Sequence, residues 1–480
     1  CQAITYVDDW QVVSCHPDLI AGAKLCLDRF VLAVDMQVDG RKTFAWSIDA
    51  EGRAKLRSQG FHVKLGARNL GAHVQFARKH TNATLQDRVQ SMGPLWNRLK
   101  MSACSYQAKL KAIKVAGWPR ALHAISASTL GLAAFHSLRT GAMKALGVDD
   151  VGSNAFLHMG MVEDPMCDPH CWAIAQTLRF VRECGQREYI QQVLPTLVDG
   201  SQNMPANSIT NTLLVRIQAL GWRILPDGLL LDEIGPFSIF DCCVSELVLR
   251  VKWSWRKVVQ REVLHRPGLQ HVDFVDAADT RKCLSSLTPS DRALMRKCLN
   301  GTHITQDAKA HCQPDGSTLC PYCECTDSRF HRFWICERFA SCRSALPLGF
   351  AALVPNLPET VTCHGWSLLP STFFEWFRRL ACTRVPDARM FGPCEHDLHF
   401  FTDGSCINQQ EYGCRVSAWA VVLASVEGLQ DSRVLDSGPL PGLLQSSYRA
   451  EIFAILRALT IASASRAKIF LWTDCKAVVK

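Results

Sequence analysis

Three acidic residues near the C-terminal end stand on three separate elements, two strands and a helix, and they constrain the fold more than any other feature. Asp403 follows the apolar run LHFFT, so that Leu398 to Thr402 reads as a short strand carrying Asp403 at its end, with Gly404 giving a sharp turn. Glu451 falls in the first turn of SSYRAEIFAILRALTIAS. There Ser446 or Ser447 can cap a helix, and Tyr448, Ile452, Ile455, Leu456 and Leu459 supply an apolar face. Asp474 closes AKIFLWTD, a further strand. After the linker-like PDARMFGPCEHD (386–397) the order is β-β-β-α-β. Two strand-borne aspartates and a helical glutamate can meet at one edge of a sheet. Such carboxylates repel unless cations lie between them, and a pair of Mg2+ ions ~3.5–4 Å apart would neutralise them and activate water against a phosphodiester.

A second constellation lies upstream. LCPYCECTDSRFHRFWICERF holds Cys320, Cys323, His331 and Cys336 in the pattern C-x2-C-x7-H-x4-C. Three thiolates and an imidazole at this spacing can surround Zn2+ tetrahedrally, and a piece this small gains much of its folding free energy from the metal. Phe330, Phe333 and Trp334 interleave the ligands and can either pack beneath the metal or stack on bases. Cys325, Cys312 and His311 compete for the ligand assignment.

The chain opens on CQAITYVDDWQVVS, with Asp8 and Asp9 at the tip of a strand–turn–strand pattern. Adjacent like charges are costly there unless a solvated turn or a divalent metal accommodates them. Residues 18–34 read as a helix with Leu19, Leu25, Leu27, Phe30 and Val31 as its stripe. Short strands follow, then mostly helix from Leu85 to about Arg187, a loop at 200–208 and a hairpin in 221–240. Val244 to Val263 is amphipathic, with Arg250, Lys252, Arg256, Lys257 and Arg261 for a solvated face or a nucleic-acid backbone.

The segment 398–480 resembles a type 1 ribonuclease H domain. TDGS at Asp403, the RAE helix at Glu451 and TD at Asp474 match that family's first three acidic positions, with TDC where TDS is more usual. The resemblance implies Mg2+ (or Mn2+) on Asp403, Glu451 and Asp474 and hydrolysis of the RNA strand of RNA–DNA hybrids. The family's fourth acid and mobile histidine would fall past Lys480, so the domain is expected to be incomplete. In front of such a domain, YVDD is similar to the palm motif of a reverse transcriptase. This makes Asp8 a Mg2+ ligand for nucleotide addition, with Asp9 beside it. Lys42 in DGRKT and Leu70-Gly71 in NLGAHV match the lysine after the palm helix and the hairpin leading to the thumb. The Cys–His cluster resembles the small CCHC module of many non-LTR retrotransposon polyproteins.

The implied organisation is a fragment of such a polyprotein, multidomain α/β and α+β. It runs from the C-terminal part of a palm and start of a thumb (1–115) through a helical, basic thumb or connection region (116–300) to a zinc-like module (301–345). A linker (346–395) and an incomplete ribonuclease H-like mixed sheet with helices (396–480) follow. The implied partners are RNA–DNA hybrid, RNA template and DNA. Polymerisation would need a longer parent chain, because a further palm aspartate and the fingers would precede Cys1. The competing reading is a non-catalytic, zinc-containing nucleic-acid-binding relic of such an element.

Composition bears on compartment and partner. Residues 250–300 hold eleven Lys and Arg against five acids, within a chain of net charge +9, a balance that suits a polyanion. The 23 cysteines are scattered, and no secretory signal is visible, which points to an intracellular protein, nuclear or cytoplasmic rather than secreted. Ala121 to Leu138 is uncharged over eighteen residues but contains two histidines and four hydroxyl residues, so it reads as a buried helix and not a membrane span.

Overall fold

The computed structural model describes residues 2–6, 9–40, 42–69, 72–75, 83–149, 153–197, 209–266, 268–269, 275–303, 305–310, 316–347, 349–368, 379, 397–407, 415–425, 428–463, 465 and 467–475. Among them the chain is mixed α/β, with helices and small sheets. No helix among the described residues is long and apolar enough to cross a membrane.

Strands β1 (Gln2–Tyr6) and β2 (Asp9–Val13) form the expected hairpin, with Tyr6 opposite Asp9. The helix Pro17–Ala33 forms where its periodicity predicts, yet it buries no residue: Leu19, Leu25 and Phe30 of the expected stripe are exposed. Its described neighbours are β2 and the charged helix Ala50–Ser58, which offer little apolar surface to cover that stripe. Strands β3 (Gly66–Asn69) and β4 (Ala72–Gln75) make a second hairpin. Leu70 and Gly71 lie outside the described residues. Lys42 is exposed, 3.9 Å from Asp39 Oδ2.

The helical body is built on two adjoining apolar clusters. In the first, Trp96 meets Trp118 edge-to-face at 5.8 Å beside Phe135 and Leu138. Gly141 explains how closely these helices lie, since a Cβ there would come 2.4 Å from Trp96 Nε1. This packing runs without a break through residue 115. The uncharged stretch 121–138 is only partly buried, with Leu122, Ile125, Phe135 and Leu138 inside and Leu132 exposed, and it is not one helix. A short helix ends at Ala121, Ala124 turns the chain with a φ of 61°, and a new helix starts at Leu132 after Gly131.

The second cluster gathers Trp222, Trp255 and Trp366 around the helix Val244–Val263. The basic residues of that helix do not form a free track. Arg250 binds both oxygens of Asp232 at 3.0 and 2.9 Å and also reaches Glu246. Lys252 pairs with Asp164 at 2.7 Å, Lys257 with Glu233 at 3.2 Å, and Arg256 is buried against Trp253. The helix is central and covered on more than one side, so Arg250, Lys252 and Lys257 are answered by acids of the protein, and Arg261 near its end is exposed. The expected hairpin in 221–240 is a three-stranded meander of β5 (Arg223–Ile224), β6 (Leu230–Leu231) and β7 (Pro236–Phe237). Residues 349–368, expected as linker, belong to this body. Trp366 is buried and donates to Leu299 O at 3.2 Å, and Thr360 donates to Gly268 O at 2.5 Å.

The C-terminal unit has its own core. Strands β8 (Leu398–Ile407), β9 (Val416–Ser425), β10 (Gly428–Pro439) and β11 (Ile469–Thr473) lie in the order β10-β9-β8-β11. The first three run antiparallel, and β11 returns parallel to β8 after the helix Ser447–Ala462. That helix does not bury the face its large apolar residues suggest. Tyr448, Ile452, Leu456 and Leu459 are exposed, and Ala450, Ala454 and Ala458 press against Phe400, Trp419 and Val421. Small residues four apart let the helix lie close to the sheet, and closeness decides which face is buried.

Candidate metal centres

The acidic site is made by register. β8 and β11 pair in parallel with Thr402 opposite Thr473, so Asp403 and Asp474 each follow a paired threonine on adjacent strands. Asp403 is not at a strand end as expected; β8 continues to Ile407 and Asp403 faces Ala420 of β9. Gly404 therefore makes no turn. A Cβ at Gly404 would lie 2.2 Å from the Glu451 backbone nitrogen and 2.5 Å from the Ala450 carbonyl carbon. Glycine is required because the helix backbone sits directly on the strand. Ser446 is the N-cap, accepting from Arg449 N–H at 3.2 Å, and Gln445 fixes the approach by accepting from Ser417 N–H and donating to Leu440 O. At its other end the helix is tied to β10 by the Arg457–Asp436 pair.

The result brings carboxylate oxygens of Asp403, Glu451 and Asp474 within 4.8 Å of one another. The two aspartates are exposed, and Glu451 is 7% exposed. Burial raises the Glu451 carboxyl above its ordinary range; a hydrogen bond from the Gly404 backbone opposes this, and Asp474 and Asp403 push in the same direction as burial. Glu451 Oε2 is buried without a hydrogen-bond partner among the described residues. Three hard oxygen donors, one of them orphaned, with two open to solvent, suit a divalent cation such as Mg2+ that keeps part of its shell for water or phosphate.

The second centre is local and closed. Cys320 and Cys323 lie on a tight hairpin in which Cys320 N–H donates to Cys325 O at 2.7 Å and Glu324 takes a φ of 59°. His331 and Cys336 follow across a single turn of π-helix, His331–Ile335. The Cys320–Cys336 and Cys323–Cys336 sulfurs are 3.8 and 3.9 Å apart, and Cys323 Sγ is 3.1 Å from His331 Nε2. Tetrahedral Zn–S bonds of ~2.3 Å place sulfurs roughly 3.8 Å apart, so these ligands fit Zn2+. Burial opposes the Cys320 thiolate, but the Tyr322 backbone with His331, Cys323 and Cys336 outweighs it and brings the thiol down to about 7. Cys325 is exposed, and His311 and Cys312 lie outside the described residues.

The aromatic residues of this module pack. Phe333 stacks on His303 at 5.5 Å, and Trp334 leans on Phe350 while donating to Thr362 O at 2.8 Å. Asp327 binds Arg332 through both oxygens and accepts from Gln306 N–H at 2.6 Å. The module thereby clamps the segments around 303 and 362 together.

The two centres account for seven of the nine expected site residues, four thiolate–imidazole ligands and three carboxylates. Asp8 lies outside the described residues, and the backbone of Asp9 opens β2. Gly404 and the alanines at 450, 454 and 458 escape a reading based on large apolar residues, although the four-residue alanine spacing is visible. Comparison with protein-family models finds no match, and no curated protein matches the chain.

Proposed function

We propose that the C-terminal unit hydrolyses the RNA strand of RNA–DNA hybrids at Asp403, Glu451 and Asp474, as its resemblance to type 1 ribonuclease H domains implies. The observation that carries this reading is the convergence of the three carboxylates from adjacent parallel strands and the helix laid on Gly404. Mg2+ or Mn2+, when bound there, supplies positive charge to the phosphodiester and acidifies water. Glu451, held by the helix and buried, supplies the inner ligand; exposed Asp403 and Asp474 leave the outer side open to a bulky polyanion. Preference for the hybrid rests on 2′-hydroxyl contacts with one strand. The thiolate–imidazole centre is assigned a structural Zn2+, and the YVDD hairpin a metal-binding role in nucleotide addition that belongs to a palm.

The test is cleavage of an end-labelled RNA strand annealed to DNA, in Mg2+ and in Mn2+, by the chain and by its Asp403→Asn variant. Cutting of the RNA strand alone, lost in the variant, is expected. Equal cutting by both, or hybrid binding with no cutting by either, overturns the catalytic reading; the latter is the outcome of a non-catalytic binder.

A further inference from the structure

None of the 44 aspartates and glutamates falls between Val89 and Val148, a stretch that carries eight lysines and arginines. The basic region 250–300 differs, because there Arg250, Lys252 and Lys257 are held in ion pairs. Of the eight cations in the acid-free stretch, Arg139 is buried on Asp168 at 2.5 Å, and Lys114 lies in the field of Asp164. Arg98, Lys100, Lys111, Arg120 and Lys144 are exposed, and Lys109 is half-buried. Among the described residues no ion pair reaches any of these six.

The local structure sets these charges outward. The helices Gly93–Met101 and Tyr106–Ala112 bury Trp96 and Leu110 in the tryptophan cluster. Arg98 and Lys100 fall in the last turn of the first helix, and Lys109 and Lys111 in the last turn of the second. Lys109 Nζ donates to the Lys100 carbonyl at 3.1 Å, which joins the two basic ends. Lys144 closes the helix Leu132–Leu146, one turn past the Gly141 that Trp96 touches. The acids nearest this region are answered elsewhere, Glu163 by Arg296 at 3.0 Å and Asp164 by Lys252 at 2.7 Å. Sixty residues pack into a radius of gyration of roughly 10 Å, against a Debye length of ~8–10 Å. The fields of the exposed cations therefore add, and no acid of the stretch interrupts them.

We propose that this face, led by Arg98, Lys100, Lys109 and Lys111, holds the sugar–phosphate backbone of a nucleic-acid duplex without reading its sequence. A duplex carries one charge per ~1.7 Å of axis, and release of its counterions favours many separate cations over one precise pocket. Lysines are point charges and suit phosphates met at varied angles. An anionic membrane would match the charge but needs an apolar stripe beside it. Trp96, Leu99 and Leu110 are turned toward the core, and Met101 is the one large apolar side chain these two helices expose. The partner is the hybrid that the acidic centre is proposed to cut, and holding it requires no cleavage.

The test is binding of a labelled RNA–DNA hybrid to the full chain over roughly 50 to 200 mM salt, with Zn2+ supplied and Mg2+ and Mn2+ left out so that nothing is cut. Arg98, Lys100, Lys111 and Arg120 changed together to Gln should weaken binding at least tenfold at the low end. The slope of log Kd against log salt should become shallower by about three. Lys109 stays, because it holds the Lys100 carbonyl. Lys100→Gln and Lys111→Gln, each expected to reduce the slope by about one, serve if the four-site variant does not fold. A control with the exposed Arg57, Arg261, Lys282 and Lys297 changed to Gln has the same net charge and should bind within about threefold of the native chain. Unchanged affinity and slope in the four-site variant, or an equal loss in the control, overturns the proposal. So does binding to phosphatidylserine vesicles that the four changes abolish while hybrid binding survives, which assigns the face to a membrane. Loss of hybrid binding in the four-site variant, with no cutting by the native chain in Mg2+, sinks the nuclease and supports the surface.

Discussion

The two candidate metal centres differ in how far the chain travels to build them and in how much of them faces solvent. Cys320, Cys323, His331 and Cys336 span seventeen residues and three of the four are buried, whereas Asp403, Glu451 and Asp474 come from two strands and a helix, with both aspartates exposed. A closed set of soft ligands leaves nothing for a substrate and puts its binding energy into the fold. An open set of hard ligands contributes little to the fold and leaves coordination free for chemistry. The same contrast appears in their neighbours. The thiolate centre is ringed by packed aromatics and by Asp327–Arg332, and the acidic centre depends on one backbone contact at Gly404.

The sharpest way to break this comparison is to remove the zinc. Chelation, or Cys320→Ser, should unfold residues 316–347 and release the segments that Phe333 and Trp334 hold, a loss on the order of 10 kcal/mol of local stability. Limited proteolysis with metal analysis reads it, and Asp403→Asn should leave zinc content unchanged. Unaltered protease resistance after chelation would mean that packing alone closes the module. Next in size, Gly404→Ala drives a methyl group into the Glu451 backbone and should cost roughly 3 kcal/mol together with Mg2+ binding. Calorimetry with and without Mg2+ checks it, and a variant of native stability would show that the helix can stand off the strand.

A pH ramp separates both centres from the helical body. His158 is buried and held at about 3 by desolvation and by Arg296. Tyr106 donates to Glu163 at 2.9 Å, so the His158 Nε2–H donates to Tyr106 at 2.8 Å. The unfolded chain takes up a proton below about 6.5 that the folded chain refuses. Stability from this group is therefore intact above that pH and lost as pH falls toward 3, at about 1.4 kcal/mol per pH unit. His158→Gln should flatten that slope; an unchanged slope in denaturant titrations would place the acid sensitivity elsewhere. The smallest effect is at the acidic centre itself. Glu451→Gln should stabilise the metal-free unit by about 1 kcal/mol, because a buried charge facing two other carboxylates disappears, and should abolish the Mg2+-induced rise in Tm. A destabilised variant would show that the charge is satisfied within the protein.

The ligand residues of both centres, the β-β-β-α-β order and the helix at 244–263 could be read from spacing and periodicity, since each is a property of local chain geometry. What local pattern could not supply is which side of an element is covered. The large apolar residues of the helix Ser447–Ala462 are exposed and its alanines buried, because Gly404 admits backbone contact and only small side chains fit beneath. The basic helix at 244–263 is largely interior, with Arg250, Lys252 and Lys257 matched by Asp232, Asp164 and Glu233 from outside the helix. Sequence by itself determined the donors and the order of elements; tertiary packing decided the distances between donors and the burial that tunes Glu451. These last depend on long-range juxtaposition, which periodicity within one element does not encode.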